Sequence, residues 1–418
     1  MLEHAPQGAA LVVAPTSVCH NWAAEIERFA PSLSVRQFSD AGDRTALVKS
    51  LGPFDVLVTS YGLLNQEAAL LSETPWRIAI LDEAQAIKNA ATKRAQASMR
   101  LQADFRLALT GTPVENYLEE LWSLFHFINP GLLGSLESFR KRFVLPIERG
   151  DRAAKQALKA LVGPFILRRT KSAVLTELPP RTEQTILVDL DDDERALYEA
   201  LRRRAIERIE NLPDDASAQR KIHILAEITR LRRACCHPSL AAPDATGMEG
   251  AKLSLFLELV DELLRNRHKA LVFSQYVGFL EIVRRALEER GIAHQYLDGQ
   301  TPQRERERRV NAFQAGAGDL FLISLKAGGT GLNLTAADYV IHLDPWWNPA
   351  VEDQASGRAH RIGQQRPVTV YRLAVAGTIE QGILGLHQDK REMAAELLDG
   401  SEASAKLTDE ELMNLLSG

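Results

Sequence analysis

Two acidic residues, Asp82 and Glu83, directly follow an apolar run over residues 78–81. A nucleotide hydrolase needs this arrangement where a buried strand meets the phosphates, because one carboxylate reaches the Mg²⁺ shell and its neighbour orients the attacking water. The same pair also suits the start of a helix, where acidic side chains favour the exposed N–H groups. The pattern therefore predicts either a hydrolytic site or a helix cap.

Two arginines far downstream, Arg358 and Arg361, give a second signal. Guanidinium groups stay charged and bind phosphate oxygens in pairs, so these residues could neutralise charge that develops on a γ-phosphate. They are one helical turn apart, and a helix over them would aim both side chains in one direction. With the acidic pair, they predict a two-lobed ATP hydrolase whose arginines act from the second lobe.

Alternating strands and helices must position these residues. Apolar runs predict strands at residues 10–14, 54–59, 76–81 and 105–109, and a second series at 270–273, 294–297, 320–323, 339–343 and 368–373. Nearly continuous aliphatic strands separated by helices are typical of parallel sheets that are buried on both faces. The fold class is therefore predicted as α/β, with two parallel-sheet lobes.

Between the two series, helical periodicity runs from about residue 118 to 211, with an extended interruption over 178–190. The predicted domains are a first lobe at 1–117, a helical protrusion and linker at 118–250, a second lobe at 251–385 and a helical tail at 386–418. We expect the protrusion to be an insertion between the two sheets.

Composition narrows the class of protein. The 418 residues exceed one ordinary domain, and 45% hydrophobic with 25% charged residues is typical of a soluble globular protein. No apolar run approaches the ~18 residues of a membrane span, and the N-terminus lacks a signal pattern. We therefore expect no membrane partner and a cytoplasmic location, with the nucleoid if the source is bacterial.

The net charge of −5 argues against a surface that coats polyanions generally, but basic clusters at 140–142, 168–171, 202–204 and 230–233 leave room for one positive groove. Each cluster could equally be a solvated helix face. Three cysteines cannot build a disulfide framework. Cys235 and Cys236 lack a second pair of zinc ligands at a suitable spacing, so a packed loop before Pro238 is favoured over a metal site.

These segments resemble one family, the SWI/SNF-type DNA-translocating ATPases of helicase superfamily two. The resemblance covers nearly the whole chain, to about residue 383. It is carried by Asp82-Glu83-Ala84-Gln85, by residues 109–116, by 324–333, by Asp344-Pro345-Trp346-Trp347-Asn348-Pro349 and by 354–364. It implies two RecA-like lobes, ATP and Mg²⁺ as cofactors, and sequence-independent binding of double-stranded DNA.

The resemblance also implies roles for individual residues. Asp82, Glu83, Gln85, Arg358 and Arg361 would be catalytic, with Asp82 holding Mg²⁺ through water; Gly331 and Gln354 would contact the nucleotide. Thr110, Gly111 and Thr112 would couple the phosphate state to the DNA groove. The residues expected to contact DNA from loops after strands are Thr16, Asn21, Thr59, Ser60, Ser274, Lys326, Gly329 and Thr330.

Three simpler interpretations stay open. Gln85 could make only a structural hydrogen bond at the strand end, and Thr110 to Pro113 could be an ordinary turn. Trp346 and Trp347 could stack on bases, but packing under the segment that carries the arginines is favoured.

Two departures from the family pattern stand out. The acidic pair usual before Arg358 is Ser356-Gly357 here. The sequence also contains no Gly-Lys dipeptide, so it has no G-x-x-x-x-G-K-[ST] loop to cradle phosphates. We therefore expect a fragment of a longer protein, with no ATP turnover by itself and a first sheet that lacks one strand and its covering helix.

The predicted function is that of an ATP-dependent DNA translocase core, like that of a chromatin remodeller, which remodels protein–DNA complexes. The alternatives are a non-hydrolysing fragment that retains DNA or partner binding, and an unwinding helicase of the same superfamily. The sequence names neither the DNA-bound protein that is remodelled nor the oligomeric state.

Overall fold

The computed structural model describes residues 8–111, 118–167, 178–211, 217–243, 245, 247–328, 332–386, 413 and 416. The chain divides into two compact units. Among the described residues, the first unit runs to Ile166 and the second begins at Leu167. The region predicted as a separate protrusion and linker is thus shared between the two units.

The sheet of the first unit is made of β1 (Ala10–Ala14), β2 (Ser34–Gln37), β3 (Asp55–Ser60), β4 (Pro75–Leu81) and β5 (Gln102–Ala108). All neighbouring strands are parallel, in the order β2–β3–β1–β4–β5. Every residue of β1 is buried, as expected for an aliphatic strand in the middle of a parallel sheet. The carboxyl ends of β1, β3, β4 and β5 therefore lie along one edge.

Helices α1 (Thr16–Phe29), α2 (Arg44–Ser50), α3 (Tyr61–Gln66), α4 (Ala68–Glu73) and α5 (Lys93–Met99) connect these strands. Side-chain oxygens of Asp43, Ser60 and Thr92 accept hydrogen bonds from the first turns of α2, α3 and α5. These caps satisfy N–H groups that a helix leaves without partners, which explains where each helix begins.

One face of this sheet is apolar along its whole width but is covered only in part. Trp22 and Ile26 of α1 pack on β1 and β3. In the β4–β5 register Ile80 pairs with Leu107, so both side chains point to that face. Phe105 and Leu107 remain 43% and 38% exposed, and no described strand pairs with the outer edge of β5.

A helical subdomain follows β5 in the first unit. It consists of α6 (Leu118–Ile128), α7 (Leu136–Phe139), a π turn (Arg140–Val144), α8 (Leu145–Glu148) and α9 (Arg152–Val162). Its own apolar core includes Leu121, Phe125, Phe139 and Phe143. The Ser123 hydroxyl of α6 donates to the carbonyl of Ile87, which joins this subdomain to the segment after β4.

The sheet of the second unit is made of β6 (Arg181–Val188), β7 (Ala270–Ser274), β8 (His294–Leu297), β9 (Leu320–Ser324), β10 (Tyr339–His342) and β11 (Val368–Val375). It is parallel throughout, in the order β6–β11–β10–β7–β9–β8. The segment predicted only as an extended interruption is therefore the edge strand β6. The α/β class with two parallel-sheet lobes is confirmed.

The helices of the second unit are α10 (Asp192–Glu210), α11 (Ser217–Cys236), α12 (Ala251–Arg265), α13 (Val277–Glu289), α14 (Gln303–Gln314), α15 (Leu325–Gly328) and α16 (Pro349–Ser356). Apolar clusters lie on both faces of β7 and β9, so this sheet is covered on each side. Lys252 of α12 forms a buried ion pair with Glu380 beyond β11. Among the described helices, none has the length and apolar character that a membrane span requires.

Candidate active site

The acidic pair lies where β4 ends. The Asp82 N–H donates to the carbonyl of Val13 and the Ala84 N–H to the carbonyl of Leu109, so the segment is fixed between the ends of β1 and β5. Glu83 has φ 48° and ψ 52°, a left-handed conformation that costs a residue with a side chain about 1–3 kcal/mol. Such backbone outliers concentrate at functional sites, and this one is held by its neighbours on both sides.

The Asp82 carboxylate is oriented by two donors. Trp22 Nε1 donates to Oδ2 at 2.8 Å, and the Glu83 N–H donates to Oδ1 at 2.9 Å. Each oxygen accepts one of these bonds and has a second lone pair, which can accept a bond from metal-bound water. This donor set therefore fits the expected water-mediated role of Asp82 toward Mg²⁺, a cation that keeps several of its waters in proteins.

Tyr61 and Cys19 complete the surroundings of Asp82. The Tyr61 hydroxyl donates to the backbone carbonyl of Asp82 at 2.9 Å. Burial raises the pKa of Tyr61, and the charges of Asp82 and Glu83 add to the effect, so the hydroxyl keeps its proton at neutral pH. Burial likewise raises the pKa of the Cys19 thiol to about 11. Cys19 is therefore a packing residue rather than a nucleophile.

A hydrogen-bond relay joins Glu83 to the end of β5. The Gln85 amide donates from Nε2 to Glu83 Oε2 at 2.7 Å and accepts at Oε1 from the Thr110 hydroxyl at 2.8 Å. The Gln85 side chain thus binds the Glu83 carboxylate and the hydroxyl at the end of the next strand at once. Gly111 is exposed, and Thr112 lies outside the described residues.

Sequence reasoning missed the partners that hold this acidic segment. Trp22 and Tyr61 are not among the predicted site residues, although they bind the side chain and the backbone of Asp82. Lys88 lies 3.6 Å from the buried carboxylate of Glu120 on α6, which ties the segment to the helical subdomain. No local pattern signals these contacts, because the partners are 21 to 60 residues apart in the sequence.

The two arginines lie beyond a helix rather than on it. Helix α16 ends at Ser356, and residues 357–363 form a series of turns, so the prediction that one helix aims both side chains was wrong. Gly357 is the C-cap of α16, and the backbone N–H groups of residues 358–361 donate within tight turns. Arg358 is buried, at 4% exposure. Arg361 is half-buried and donates to the carbonyl of Leu332 at 3.3 Å.

Ser356 lies where the family pattern has an acidic residue before Arg358. Its hydroxyl is fully buried and lies 2.8 Å from Nε2 of His342, which is also fully buried. The start of the turn is thus fixed by a contact between two buried side chains. Gln354 is half-buried on α16, and Gly331 lies outside the described residues.

The Trp346-Trp347 segment packs within the second unit. Trp346 contacts the apolar cluster of α16 and β10, and its N–H donates to the buried Glu352 carboxylate at 2.7 Å. The Trp347 ring lies 5.3 Å from the guanidinium of Arg232. Packing under the arginine-bearing segment is the arrangement observed.

The residues expected to contact DNA are not all in loops. Thr16 and Asn21 are exposed on α1, whereas Thr59 and Ser60 end β3 and are buried. Ser274 ends β7, is buried, and its hydroxyl donates to Asp344. The prediction of loop positions was therefore wrong for these five, because β3 and β7 each end one residue past the predicted strand and α1 begins two residues after β1 ends. Lys326 belongs to α15, and Gly329 and Thr330 lie outside the described residues.

Cys235 and Cys236 end helix α11 instead of forming a loop, and both are buried. Burial raises the pKa of each thiol. The described residues contain no cluster of three or more His, Cys, Asp or Glu side chains that could hold a metal ion. Arg232, from the basic cluster at 230–233, is also buried, and it donates to the carbonyl of Pro345.

Comparison with known proteins matches both units. The model of the SNF2-related domain matches residues 2–240, and that of the helicase conserved C-terminal domain matches 251–363. YwqA of Bacillus subtilis, an ATP-dependent helicase/translocase by name, is 40% identical over 97% of this chain and 45% of its own length. The human SWI/SNF-related matrix-associated actin-dependent regulator of chromatin subfamily A member 1 is 34% identical over 98% of this chain and 41% of its own.

The chain thus spans less than half the length of these relatives. Among solved structures, the Sulfolobus solfataricus SWI2/SNF2 ATPase core in complex with dsDNA is 34% identical, covers 99% of this chain and 87% of its own, and has a TM-score of 0.47. The SNF2-related model by itself accounts for more than half of the 418 residues, with the acidic segment and its relay inside it. The chain therefore belongs to the SNF2-related, SWI/SNF-type family of ATP-dependent helicases.

Proposed function

We propose that the chain is the core of an ATP-dependent translocase that moves along double-stranded DNA and remodels protein–DNA complexes. The observation that carries the proposal is the relay from Thr110 through Gln85 to Glu83. It connects the carboxylate that would orient water to the end of a neighbouring strand, where ligands meet an open α/β sheet. A hydrolytic site that must respond to a second ligand needs such a connection.

Each of the candidate catalytic residues has its own proposed role. Glu83, held by Gln85, would orient the attacking water, and Asp82, held by Trp22, would hold Mg²⁺ through water. Mg²⁺, when bound, supplies positive charge to the phosphate oxygens. Arg361 is the more available of the two arginines and contributes charge to the transferred phosphate.

A loop that would bind the phosphates of ATP is not found in this sequence. The sequence has no Gly-Lys dipeptide, so it holds no loop that combines backbone amides, a lysine and a magnesium-binding hydroxyl. The acidic segment fits magnesium, whereas the residues present do not supply the main phosphate contacts. We therefore assign ATP hydrolysis to the chain only in combination with a strand–loop–helix segment that carries this cradle.

Double-stranded DNA and a DNA-bound protein are the proposed partners. The human relative is by name a regulator of chromatin, and CHR11 of Arabidopsis thaliana, 35% identical over 90% of this chain, is by name an ISWI chromatin-remodeling complex ATPase. The exposed Thr16 and Asn21 suit contacts to sugar and phosphate, which position a protein without reading sequence. We propose a cytoplasmic location for this activity, in association with the nucleoid if the source is bacterial.

The test uses an extended chain, in which a strand, a G-x-x-x-x-G-K-[ST] loop and a helix are fused ahead of residue 1. We expect ATP hydrolysis that duplex DNA stimulates. Glu83→Gln should lower turnover by ~10²-fold or more, since it removes charge but little volume. Asp104→Asn, a change of an exposed carboxylate in the same sheet, is the matched control and should leave turnover unchanged. Full turnover in the Glu83→Gln variant would contradict the assignment.

A second candidate applies to the polypeptide as it stands: DNA binding without hydrolysis. The missing Gly-Lys dipeptide favours it. Displacement assays separate the remaining alternatives, because a translocase displaces a third strand from a triplex without opening the duplex, whereas an unwinding helicase separates the duplex itself.

A further inference from the structure

The outer edge of β5 carries backbone groups that pair with no described strand. Directly after β5, the Leu109 N–H donates to the carbonyl of Leu81 and the Leu109 carbonyl accepts from the Ala84 N–H, so residue 109 faces the β4 side. Successive residues of a strand direct their N–H and C=O groups to opposite sides. The backbone groups of Asp104 and Arg106 therefore point away from β4 and are open to a further strand.

The side chains of these two residues carry opposite charges on the same face of the strand. Asp104 is exposed, and its carboxylate pairs with Arg77 through Oδ2 at 2.8 Å. The Arg106 guanidinium donates to the carbonyls of Phe127 and Leu101, and no ion pair joins it to a carboxylate among the described residues. These bonds leave Oδ1 of the carboxylate and further N–H groups of the guanidinium for another ion pair.

A second β5 strand laid antiparallel along this edge is related to the first by a two-fold axis. Outward-facing groups occur only on even-numbered residues, so the axis has to pass beside a residue rather than between two. An axis at Asp104 or at Arg106 sets that residue opposite its own copy, and like charges directly opposite are destabilising. An axis at Phe105 sets Asp104 opposite Arg106 of the second copy, on both sides of the axis. Charge complementarity therefore selects the axis at Phe105.

We propose that this chain dimerises by antiparallel pairing of two β5 strands about a two-fold axis at Phe105, so that a second copy of the chain occupies the edge. Asp104 and Arg106 then exchange backbone hydrogen bonds across the axis and form an ion pair on each side of it. Phe105 meets its own copy as a non-hydrogen-bonded pair, in which the side chains lie closest. Its ring, 43% exposed in the single chain, gains an aromatic partner. The contact uses neither the acidic segment nor Arg361, so it does not depend on ATP or DNA.

The first test places a cysteine at the axis. Phe105→Cys brings two thiols to a non-hydrogen-bonded antiparallel pair, where Cα atoms about 4.5 Å apart suit a disulfide. We expect the purified 418-residue chain with this change to form a disulfide-linked dimer under mild oxidation, seen on a non-reducing gel. Leu107→Cys is the matched control, because residue 107 faces Ala103 of the second copy and lies about 13 Å from its own copy. The native cysteines are the same in both variants.

The pattern of linkage decides the proposal. A linked dimer of Phe105→Cys, with little of Leu107→Cys, supports the axis at Phe105. Equal linkage in the two variants would show only an adhesive surface and would overturn the proposal. Absence of linkage in Phe105→Cys would overturn it as well.

The second test measures the dimer dissociation constant by sedimentation equilibrium. Asp104→Arg sets two arginines opposite each other on both sides of the axis, so the constant should rise about tenfold or more. Adding Arg106→Asp restores opposite charges in reversed order and should recover the dimer. Glu289→Arg makes the same charge change at an exposed position of α13 in the second unit and should keep the wild-type constant.

A wild-type chain that stays monomeric at every concentration measured would overturn the proposal. Equal dissociation constants for Asp104→Arg and Glu289→Arg would do the same. Because Arg106 also donates to two carbonyls, circular dichroism checks that the double variant folds. If it does not fold, the comparison of Phe105→Cys with Leu107→Cys decides, since it leaves both charges in place.

Discussion

The indole Nε1 of Trp22 donates a hydrogen bond of 2.8 Å to the carboxylate of Asp82, 60 residues further along the chain. Trp22 lies on α1, the helix that also presents Thr16 and Asn21 to solvent. The bond thus connects the helix with the exposed polar groups to the carboxylate expected to face magnesium. A shift of α1 would change the orientation of Asp82 directly.

Trp22→Phe should loosen the acidic segment, because it removes a donor to a charged acceptor while it keeps the ring. We expect a loss of about 1–2 kcal/mol, seen as a five- to thirtyfold loss of hydrogen-exchange protection at amides of β1 and β4. Asp82→Ala provides the control in a double-mutant cycle: once it is present, Trp22→Phe should have little further effect. Additive losses would mean that the bond contributes nothing.

Thr110→Val should weaken the relay. It keeps the shape of the side chain but removes the hydroxyl that donates a hydrogen bond to Gln85 Oε1. In the extended chain we expect kcat to fall about five- to tenfold with KM for ATP nearly unchanged, the loss of roughly one hydrogen bond. Thr110→Ser retains the hydroxyl and should retain kcat. Equal activity of the valine and serine variants would show that the relay has no part in turnover.

Replacing Arg358 and replacing Arg361 should have different effects because the two side chains differ in burial. Arg361→Ala in the extended chain should lower kcat by about 10³-fold with little change in ATP affinity. The Arg358 side chain is buried, so Arg358→Ala should leave a cavity after α16 and lower the stability of the second unit, measured as reduced protection of its amides against hydrogen exchange. A loss of ATP affinity without a loss of kcat in Arg361→Ala would make Arg361 a ground-state ligand.

The buried pair of Lys252 and Glu380 should be costly to break on one side. Lys252 Nζ lies 2.6 and 2.8 Å from the two carboxylate oxygens, and both side chains are inaccessible. Lys252→Met should lower the stability of the second unit by about 3–5 kcal/mol, measured by hydrogen exchange in β11. Adding Glu380→Gln should recover much of it, since no unpaired charge remains. Arg290→Ala, which breaks an exposed pair with Asp261, should cost under about 0.5 kcal/mol.

The Lys252–Glu380 pair also makes the stability of the second unit depend on pH. Burial alone would lower the pKa of Lys252, but the Glu380 carboxylate outweighs it and holds that pKa above its usual 10.5. The folded state then keeps the proton longer than the unfolded state does. The stabilisation is therefore complete below pH 10.5 and is lost as the pH rises through the raised pKa, which the hydrogen-exchange measurement should detect in the wild type and not in Lys252→Met/Glu380→Gln.

The unmodified 418-residue chain should show no DNA-stimulated ATP hydrolysis above background. Asp82, Glu83 and both arginines are present, but the sequence has no Gly-Lys loop, the segment that we expect to supply most ground-state contacts to ATP. A phosphate-release assay with and without duplex DNA checks this, and the extended chain is the positive control. Turnover comparable to that of the extended chain would require a phosphate cradle built from other residues.

The apolar pattern predicted most strands within one or two residues because their burial on both faces leaves a continuous aliphatic signal. Strand β1 was predicted at residues 10–14 and is observed there. Two edge strands gave no such signal. Ser34–Gln37 alternates exposed and half-buried residues, and Arg181–Val188 is mostly exposed, pairing with a strand nearly 190 residues away.

The site was predictable in its residue types but not in its contacts. The position of Asp82 and Glu83 after a buried strand follows from local sequence. The bond from Trp22, the relay through Gln85 and the buried contact of Ser356 with His342 depend on which strand ends become neighbours in the folded sheet. The end of α16 before the arginines was missed because Ser356-Gly357 is a weak stop signal in isolation.

The partly bare face at β4 and β5 has a consequence for how this polypeptide behaves in a cell extract. Phe105 and Leu107 offer an apolar surface beside the outer edge of β5, the combination that invites intermolecular strand pairing. The first unit, rather than the second, should therefore set the solubility limit and the demand on chaperones during synthesis. A charged residue on this face should raise the solubility of the first unit and leave the acidic segment unchanged.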